Sequence, residues 1–267
     1  MQRIKLCKFQ GCGNDYLVFL RKDLPKEIND FAITVCNRHF GVGSDGIAVL
    51  EPTTEGADYR CLIFNPDGSQ AAFSGNGTRC AAAYLYFKNL WKRKELKLET
   101  LSGIKTYKLL KKEGKVFWFE TELGILSKIE NLNISVLDTT LNIDFVNVGN
   151  PVCVIFVEDF NSLNWRQIGA EIECHENFPS RTNVVFVKPL NEKQIEIRIW
   201  ERGAGETNSS GTCSIAAATA YLNRIKKRGE VLVKAVGGTT QAFWKENNQM
   251  LLIGTAEIVF CGEFFYG

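Results

Sequence analysis

Two serines occupy matched positions in two similar stretches of the chain. Ser74 and Ser210 each precede a glycine and an alanine-rich segment, and position 210 lies 136 residues after position 74. One interpretation is structural, because serine is a preferred helix N-cap, worth about 1 kcal/mol over alanine. The other is chemical, because two matched groups could exchange a proton at carbon, one removing it and the other returning it. A serine hydroxyl is a poor base without activation, and no histidine is close to either serine in sequence.

Polar residues in glycine-bearing loops could bind a substrate beside these serines. Arginine binds carboxylates through two parallel hydrogen bonds, and asparagine and glutamate suit an ammonium or amide group. Such a set fits a small zwitterion with more than one carboxylate. Alternatively, each asparagine only caps or turns the chain. The set consists of Asn14, Asn65, Asn76, Asn150, Asn183, Glu201 and Arg202.

The chain repeats itself at an offset of about half its length. Asn14 and Asn150 are 136 positions apart, as are Asn65 and Glu201. A residue that only turns the chain need not be polar in both copies, so the matching favours binding roles. Four matched blocks at nearly one offset predict a duplicated unit of roughly 135 residues. We therefore expect two similar halves that each contain helices and strands, with a cleft between them.

The elements that must position these residues follow from local patterns. Hydrophobic periodicity and alanine-rich runs predict helices over 26–40, 78–91, 163–173 and 213–225. The last predicted strand, 256–261, is expected to return to the first half. The N-terminal lobe is thus expected at 1–115 with 255–267, and the C-terminal lobe at 116–254. Helix N-termini carry unpaired N–H groups and partial positive charge, so two of them facing one pocket would grip a small carboxylate.

Composition excludes several classes of protein. The 267 residues carry a net charge of +2 with both signs mixed, which argues against a nucleic-acid surface. No apolar run approaches the ~18 residues of a membrane helix, and the N-terminus has no apolar signal segment, so a cytoplasmic protein is expected. Nine cysteines without framework spacing are expected to be reduced thiols. No metal site is expected, because the cysteines and histidines lack metal-site spacing.

Six blocks in order along nearly the whole chain carry a family resemblance. They are 9–16 (FQGCGNDY), 40–46 (FGVGSDG), 64–80, 148–151 (VGNP), 181–185 (RTNVV) and 201–207 (ERGAGET). Together they resemble the diaminopimelate epimerases, within the wider family of amino-acid racemases that work without pyridoxal phosphate. The resemblance implies an α+β fold of two pseudo-symmetric lobes, each a central helix wrapped by mostly antiparallel sheet, with the active-site cleft between them. It further implies a protein that is often a homodimer and interconverts LL- and meso-2,6-diaminopimelate for lysine and peptidoglycan synthesis.

At the reacting positions the chain departs from that family. The family has a cysteine at the start of each helix, and the two form a thiolate and thiol couple, whereas this chain has Ser74 and Ser210. Val152 stands where the family commonly has histidine. The substrate-binding set is retained, and the resemblance adds backbone N–H groups on the reacting carboxylate. These belong to Gly75, Asn76, Gly211 and Thr212.

Three hypotheses remain open. The chain is a diaminopimelate epimerase whose cysteines were replaced, a divergent isomerase of another substrate, or a binding protein that keeps the pocket without the bases. Cys80 and Cys213 lie about two turns and one turn into their helices, so we expect them to point elsewhere. We predict the first function, with an amino acid as partner and neither nucleic acid nor membrane. The residues expected on the distal amino-acid end of the substrate are Glu201, Arg202, Asn65 and Asn183.

Overall fold

The computed structural model describes residues 1–53, 56–126, 128–137 and 139–267. The chain forms two units, one of Met1–Thr121 with Gly254–Gly267 and the other of Glu122–Ile253. Over the described residues, each unit combines helices with a mostly antiparallel sheet. The expected α+β class is therefore confirmed.

The first unit surrounds one buried helix with strands. Its helices are α1 (Ile28–Cys36) and α2 (Gly75–Phe87). Its strands are β1 (Gln2–Gly11), β2 (Asn14–Leu20), β3 (Gly46–Pro52), β4 (Tyr59–Phe64), β5 (Gln70–Ala71), β6 (Glu95–Thr100), β7 (Gly103–Glu113) and β8 (Val116–Ile125), the last of which continues into the second unit. β1 and β2 form a hairpin whose turn residues, Cys12 and Gly13, have φ angles of 53° and 79°, as a type I′ turn requires.

The central helix α2 is buried around its whole circumference. Every residue from Asn76 to Leu85 is buried, whereas a surface helix would keep a polar stripe. Three consecutive alanines at 81–83 leave room for strands to pack close to the helix axis. Just past the helix, Asn89 has a φ of 56°, and the Leu90 N–H donates to the Leu85 carbonyl at 2.9 Å. This is the Schellman-type ending that stops a helix.

The second unit repeats the order of elements. Its helices are α3 (Trp165–Glu173) and α4 (Gly211–Arg224). Its strands are β9 (Ile129–Val136), β10 (Thr139–Asn147), β11 (Pro151–Phe156), β12 (Asn183–Asn191), β13 (Gln194–Glu201), β14 (Gly205–Thr207), β15 (Gly229–Ala235), β16 (Gly238–Trp244) and β17 (Gln249–Tyr266), the last of which continues into the first unit. The buried helix α4 ends as α2 does, with Lys226 at a φ of 54° and the Lys227 N–H donating to Leu222 O at 2.9 Å.

The strand pairings also repeat. β2 pairs in parallel with β3, and β3 pairs antiparallel with β4. β11, β12 and β13 follow the same pattern. The outer partner differs in origin, because β1 pairs with the late part of β17 while β10 pairs with β9. The two units therefore have the same strand topology, which agrees with the duplication predicted from the sequence.

Several predicted element bounds were wrong. α1 ends at Cys36 rather than near 40, because the N–H groups of Val42 and Gly43 turn back to the Val35 carbonyl. α2 and α4 begin at Gly75 and Gly211, earlier than predicted, directly after the two serines. The predicted strand 256–261 is part of a single 18-residue strand, β17.

The expectation that all cysteines are reduced was also wrong. Cys7 and Cys261 form a disulfide, although they are 254 positions apart in sequence. The cause is register, since antiparallel pairing of β1 with β17 places these two residues directly opposite each other. The remaining seven cysteines are free, and six of them are buried.

Candidate active site

Ser74 is the N-cap of α2. Its backbone is extended, with φ −135° and ψ 117°, and its Oγ accepts a hydrogen bond from the Gly77 N–H at 3.1 Å. The same oxygen is 2.8 Å from the hydroxyl of Tyr16. Its carbonyl receives the Thr78 N–H at 2.9 Å, the first intrahelical bond. The capping role and a chemical role are thus compatible, because one hydroxyl serves the helix and also contacts a phenol.

Ser210 is the N-cap of α4 with nearly the same backbone, φ −144° and ψ 127°. Within the described residues its side chain makes no capping bond, and its Oγ lies 3.3 Å from the Thr212 hydroxyl. Burial raises the pKa of Glu201 above its ordinary value, and hydrogen bonding with Ser210 opposes that shift. The two serines therefore have different titratable neighbours, a phenol for Ser74 and a carboxyl for Ser210.

The starts of both helices are suited to an anion. The first four N–H groups of a helix have no intrahelical acceptor, and the macrodipole adds partial positive charge. Over the described first turns, neither α2 nor α4 carries an acidic side chain that would compete for this position. The predicted carboxylate donors, Gly75 and Asn76 on one helix and Gly211 and Thr212 on the other, are the first two residues of each helix.

Asn14 and Asn76 are brought together in the first unit. The Asn76 Nδ2 donates to Asn14 Oδ1 at 3.4 Å, and the Asn14 Nδ2 donates to Asp45 Oδ2 at 2.8 Å. Arg79 donates to the Asn76 side-chain oxygen and, through Nε, to the Thr255 carbonyl at 2.8 Å. Because Arg79 is only 3% exposed, it acts as a buried brace that holds the amide of Asn76.

A compact ion cluster fixes the loops next to Asn14. Asp15 is 2.6 Å from Lys8 Nζ and 2.8 Å from Arg38 Nη2, which also contacts Asp45 at 2.7 Å. Burial raises the pKa of the Asp15 carboxyl, but hydrogen bonds from Arg38 and Lys8 outweigh that effect and lower the pKa to about 2. The carboxylate is therefore ionised at neutral pH, and the cluster ties β1, β2 and the segment before β3 together.

Asn65 makes contacts that belong to its own turn. Its N–H donates to the Ser69 carbonyl at 2.8 Å, and its Nδ2 donates to Ser69 Oγ at 2.9 Å. These bonds close the loop between β4 and β5. The turn-forming interpretation describes the contacts of Asn65, and its substrate role stays a prediction.

Asn150, Asn183 and Arg202 form a second cluster in the second unit. Arg202 Nη2 donates to Asn150 Oδ1 at 3.2 Å, and the Arg202 N–H donates to Asn183 Oδ1 at 3.1 Å. The Asn183 Nδ2 in turn donates to the Pro151 carbonyl at 3.1 Å. The structure thus gathers three predicted binding residues that are far apart in sequence, and the Arg202 side chain is exposed.

Sequence reasoning missed several residues that the structure places beside the predicted ones. Tyr16, Asp45 and Arg79 all lie inside the recognised sequence blocks but were given no role. A signal was available for Asp45 and Arg79, because charged residues inside glycine-rich loops and buried helices need a partner. Glu173 had no such signal: it is 7% exposed and accepts from Trp200 Nε1 at 2.8 Å and the Gly203 N–H at 2.8 Å.

The hydrophobic cores contain Val152, Cys80 and Cys213. Val152 is fully buried in the core of the second unit. Cys80 and Cys213 are also fully buried, but hydrogen bonding with Ser210 acts on the pKa of Cys213, so this thiol lies beside the start of α4 rather than pointing away from it. Burial raises the pKa of both thiols, that of Cys80 to about 12. The Cys80 thiol cannot replace a reactive cysteine of the family without leaving its core.

The fold is one that amino-acid epimerases share. A phenazine biosynthesis protein of the PhzF family from Bacillus anthracis matches with a TM-score of 0.76 and 19% identity, covering 100% of both chains. A hydroxyproline epimerase from Agrobacterium vitis, with trans-4-hydroxy-L-proline bound, matches with a TM-score of 0.71 and 13% identity, covering 98% of this chain and 92% of that chain. At these identities the likeness establishes the fold alone.

The sequence establishes the family. The profile described as diaminopimelate epimerase matches residues 6–124 and 145–259. The diaminopimelate epimerase of Pelotomaculum thermopropionicum is 39% identical, over 97% of this chain and 98% of its own length. That of Methanococcus maripaludis strain C5 is 34% identical, over 97% and 99%. The chain belongs to the diaminopimelate epimerase family.

Two further features concern the residues that the structure describes. No helix among them is long and apolar enough to cross a membrane. In the same part of the chain, no three His, Cys, Asp or Glu side chains are grouped to hold a metal ion.

Proposed function

We propose that this protein is a cofactor-independent epimerase that interconverts LL- and meso-2,6-diaminopimelate. The observation that carries the proposal is the pair of serine-capped buried helices, one in each unit. They stand at the two positions where the family resemblance implies proton-transferring residues. Membership of the family over nearly the whole chain supports the substrate.

Binding of the substrate uses groups of two kinds. The backbone N–H groups of Gly75, Asn76, Gly211 and Thr212 hold the α-carboxylate, where the helix dipoles stabilise charge that develops as the α-carbon loses its proton. The exposed guanidinium of Arg202 binds the distal carboxylate through two parallel hydrogen bonds. The remaining polar contacts to the substrate come from Asn14, Asn65, Asn150, Asn183 and Glu201.

Proton transfer is assigned to Ser74 and Ser210, the positions to which the family resemblance assigns the two proton-transferring residues. A serine hydroxyl needs an activating neighbour, and Glu201 supplies one for Ser210. Since burial raises the pKa of Glu201, this carboxyl is a stronger base than an exposed glutamate. Serine nevertheless lacks the thiol's reference pKa of about 8.5, so we expect slower exchange than in a cysteine-bearing form.

A second function remains as the alternative to the epimerase, because serine stands at both positions where the family has cysteine. With hydroxyls at both positions and Val152 buried in the core, the chain has the features of a protein that binds diaminopimelate without turning it over. Such a protein would take up the ligand and exchange no α-proton. The assay below separates the two functions.

The test is α-proton exchange of LL-diaminopimelate in D₂O, followed by NMR. The parent is compared with a Ser74→Cys/Ser210→Cys variant, and a Ser74→Ala/Ser210→Ala variant is the control. Exchange by the parent, lost in the alanine control, supports the serine epimerase. A silent parent with an active cysteine variant supports the binding function on an epimerase pocket. Silence of the parent and the cysteine variant together would remove diaminopimelate as the substrate.

We also propose a cellular compartment, a biosynthetic role and an oligomeric state for the enzyme. By its family, the enzyme would work in the cytoplasm, in the synthesis of lysine and peptidoglycan precursors, and as a homodimer. Light scattering coupled to size-exclusion chromatography checks the last point, because a mass near that of one 30.0 kDa chain would contradict it.

A further inference from the structure

The side chain of Tyr16 is held in a socket made of two glycines. A Cβ at Gly46 would lie 2.9 Å from its ring Cε1, and a Cβ at Gly77 would lie 2.8 Å from the same atom and 3.0 Å from Cζ. Any other residue at either position would displace the ring. Parallel pairing of β2 with β3 places Tyr16 directly opposite Gly46. Both glycines thus lie close to the same ring edge, around Cε1, and Tyr16 is only 6% exposed.

The ring position brings the phenol within hydrogen-bonding distance of Ser74. The Tyr16 hydroxyl is 2.8 Å from Ser74 Oγ, which also accepts the Gly77 N–H at 3.1 Å. A hydroxyl oxygen has two acceptor sites and one hydrogen, and two of these three positions are now engaged. The third is left for a substrate. Ser74 is therefore held in one orientation at the start of α2, rather than free to rotate.

We propose that Tyr16 is a positioning residue that works through Ser74, orienting its hydroxyl and replacing the proton that it gives to the substrate. The inference rests on the proposed function and deepens it. When the Ser74 O–H bond breaks, the proton forms the new C–H bond at the α-carbanion, and the Tyr16 O–H bond breaks to return a proton to Ser74 Oγ. The negative charge passes from carbon to the phenolate. In the opposite direction of the reaction each bond change is reversed, with phenolate accepting the serine proton.

The chemistry of the two groups explains why such a relay is needed here. An aliphatic hydroxyl alone would be left as a high-energy alkoxide after donating its proton. A phenol, with a reference pKa of about 10, holds that charge at much lower cost. Tyr16 thus makes the first-unit side the proton-donating side in the resting enzyme, whereas Ser210 has a carboxyl neighbour in Glu201.

The decisive variant is Tyr16→Phe, which keeps the ring in its glycine socket and removes only the hydroxyl. We expect kcat for α-proton exchange to fall about 100-fold, as for loss of a general acid–base partner, while KM changes less than about threefold. A residue that only supported the fold would move both constants or neither. The matched control is Tyr86→Phe, which removes a phenol bonded to the Arg93 carbonyl at 2.7 Å, near the far end of α2; its kcat should stay within about twofold of the parent.

A second measurement tests the inference even where the serine parent shows no exchange. In a Ser74→Cys variant, a phenol donor at this distance stabilises the thiolate. Adding Tyr16→Phe to that variant should therefore raise the pH midpoint of thiol alkylation at position 74 by about one unit. Peptide mass spectrometry separates position 74 from the buried cysteines. An unchanged midpoint and an unchanged kcat would each overturn the role of Tyr16. Failure of the proposed function is a different outcome, because it appears as silence of the double cysteine variant while the alkylation shift persists.

Discussion

Gly77→Ala is a substitution whose outcome the structure constrains sharply. In an exposed helix, replacing glycine by alanine stabilises by about 1 kcal/mol. At this position the new Cβ would stand 2.8 Å and 3.0 Å from ring atoms of Tyr16 and 3.0 Å from Ile63 Cδ1. Gly46 also lies close to this ring, since a Cβ there would stand 2.9 Å from the same atom, Cε1. Overpacking of this kind costs about 1–3 kcal/mol, so after the helix gain of about 1 kcal/mol we expect a net loss of up to about 2 kcal/mol.

The assay is urea unfolding followed by far-UV circular dichroism. Gly75→Ala is the matched control in the same helix, since the nearest described atoms to its new Cβ are 3.9 Å away on the Phe73 ring. The control should be neutral or gain up to about 1 kcal/mol. A Gly77→Ala protein as stable as Gly75→Ala would refute the reasoning, because it would mean that the Tyr16 ring moves freely and the socket does not determine its position.

Three other perturbations have expected outcomes. Burial raises the pKa of Asp15, but hydrogen bonds such as that from Arg38 lower it to about 2; Asp15→Asn should therefore destabilise by about 2 kcal/mol at neutral pH. That difference should shrink as pH falls from about 4 to about 2, and a pH-independent difference in unfolding free energy would contradict it. Cys261→Ser should lower the unfolding free energy by about 2–5 kcal/mol, and dithiothreitol should shift the parent but not the variant if Cys7 is bonded as described. Arg202→Ala should weaken diaminopimelate binding at least about tenfold in calorimetry, a change of about 1.4 kcal/mol; unchanged affinity would remove its carboxylate role.

Patterns within a few residues predicted the elements closest to the site. The serine, glycine and alanine order at Ser74 and at Ser210 indicated the helix starts, because an N-cap is recognised by its immediate neighbours. Both are N-caps in the structure. The far end of α1 was predicted less well, because a helix ends where the chain finds a tertiary partner or a favourable left-handed residue.

The duplication is the other feature that the sequence contained. A constant offset matched Asn14 with Asn150. In the structure Asn14 begins β2 and Asn150 directly precedes β11, and each of these strands pairs in parallel with the next one along the chain. Repetition is visible in sequence because it is a relation between residue types. It requires no knowledge of which atoms touch.

Contacts between distant positions were decided by the tertiary structure alone. Tyr16 meets Ser74 across 58 positions, Arg79 meets the Thr255 carbonyl across 176, and Cys7 meets Cys261 across 254. Local propensity sets which segments become helix or strand, but strand register and helix burial set which side chains face each other. The residue types that could do chemistry could therefore be identified from the sequence. The partners that orient them, above all the Tyr16 phenol beside Ser74, depend on how segments distant in sequence pack together. No single segment contains that information.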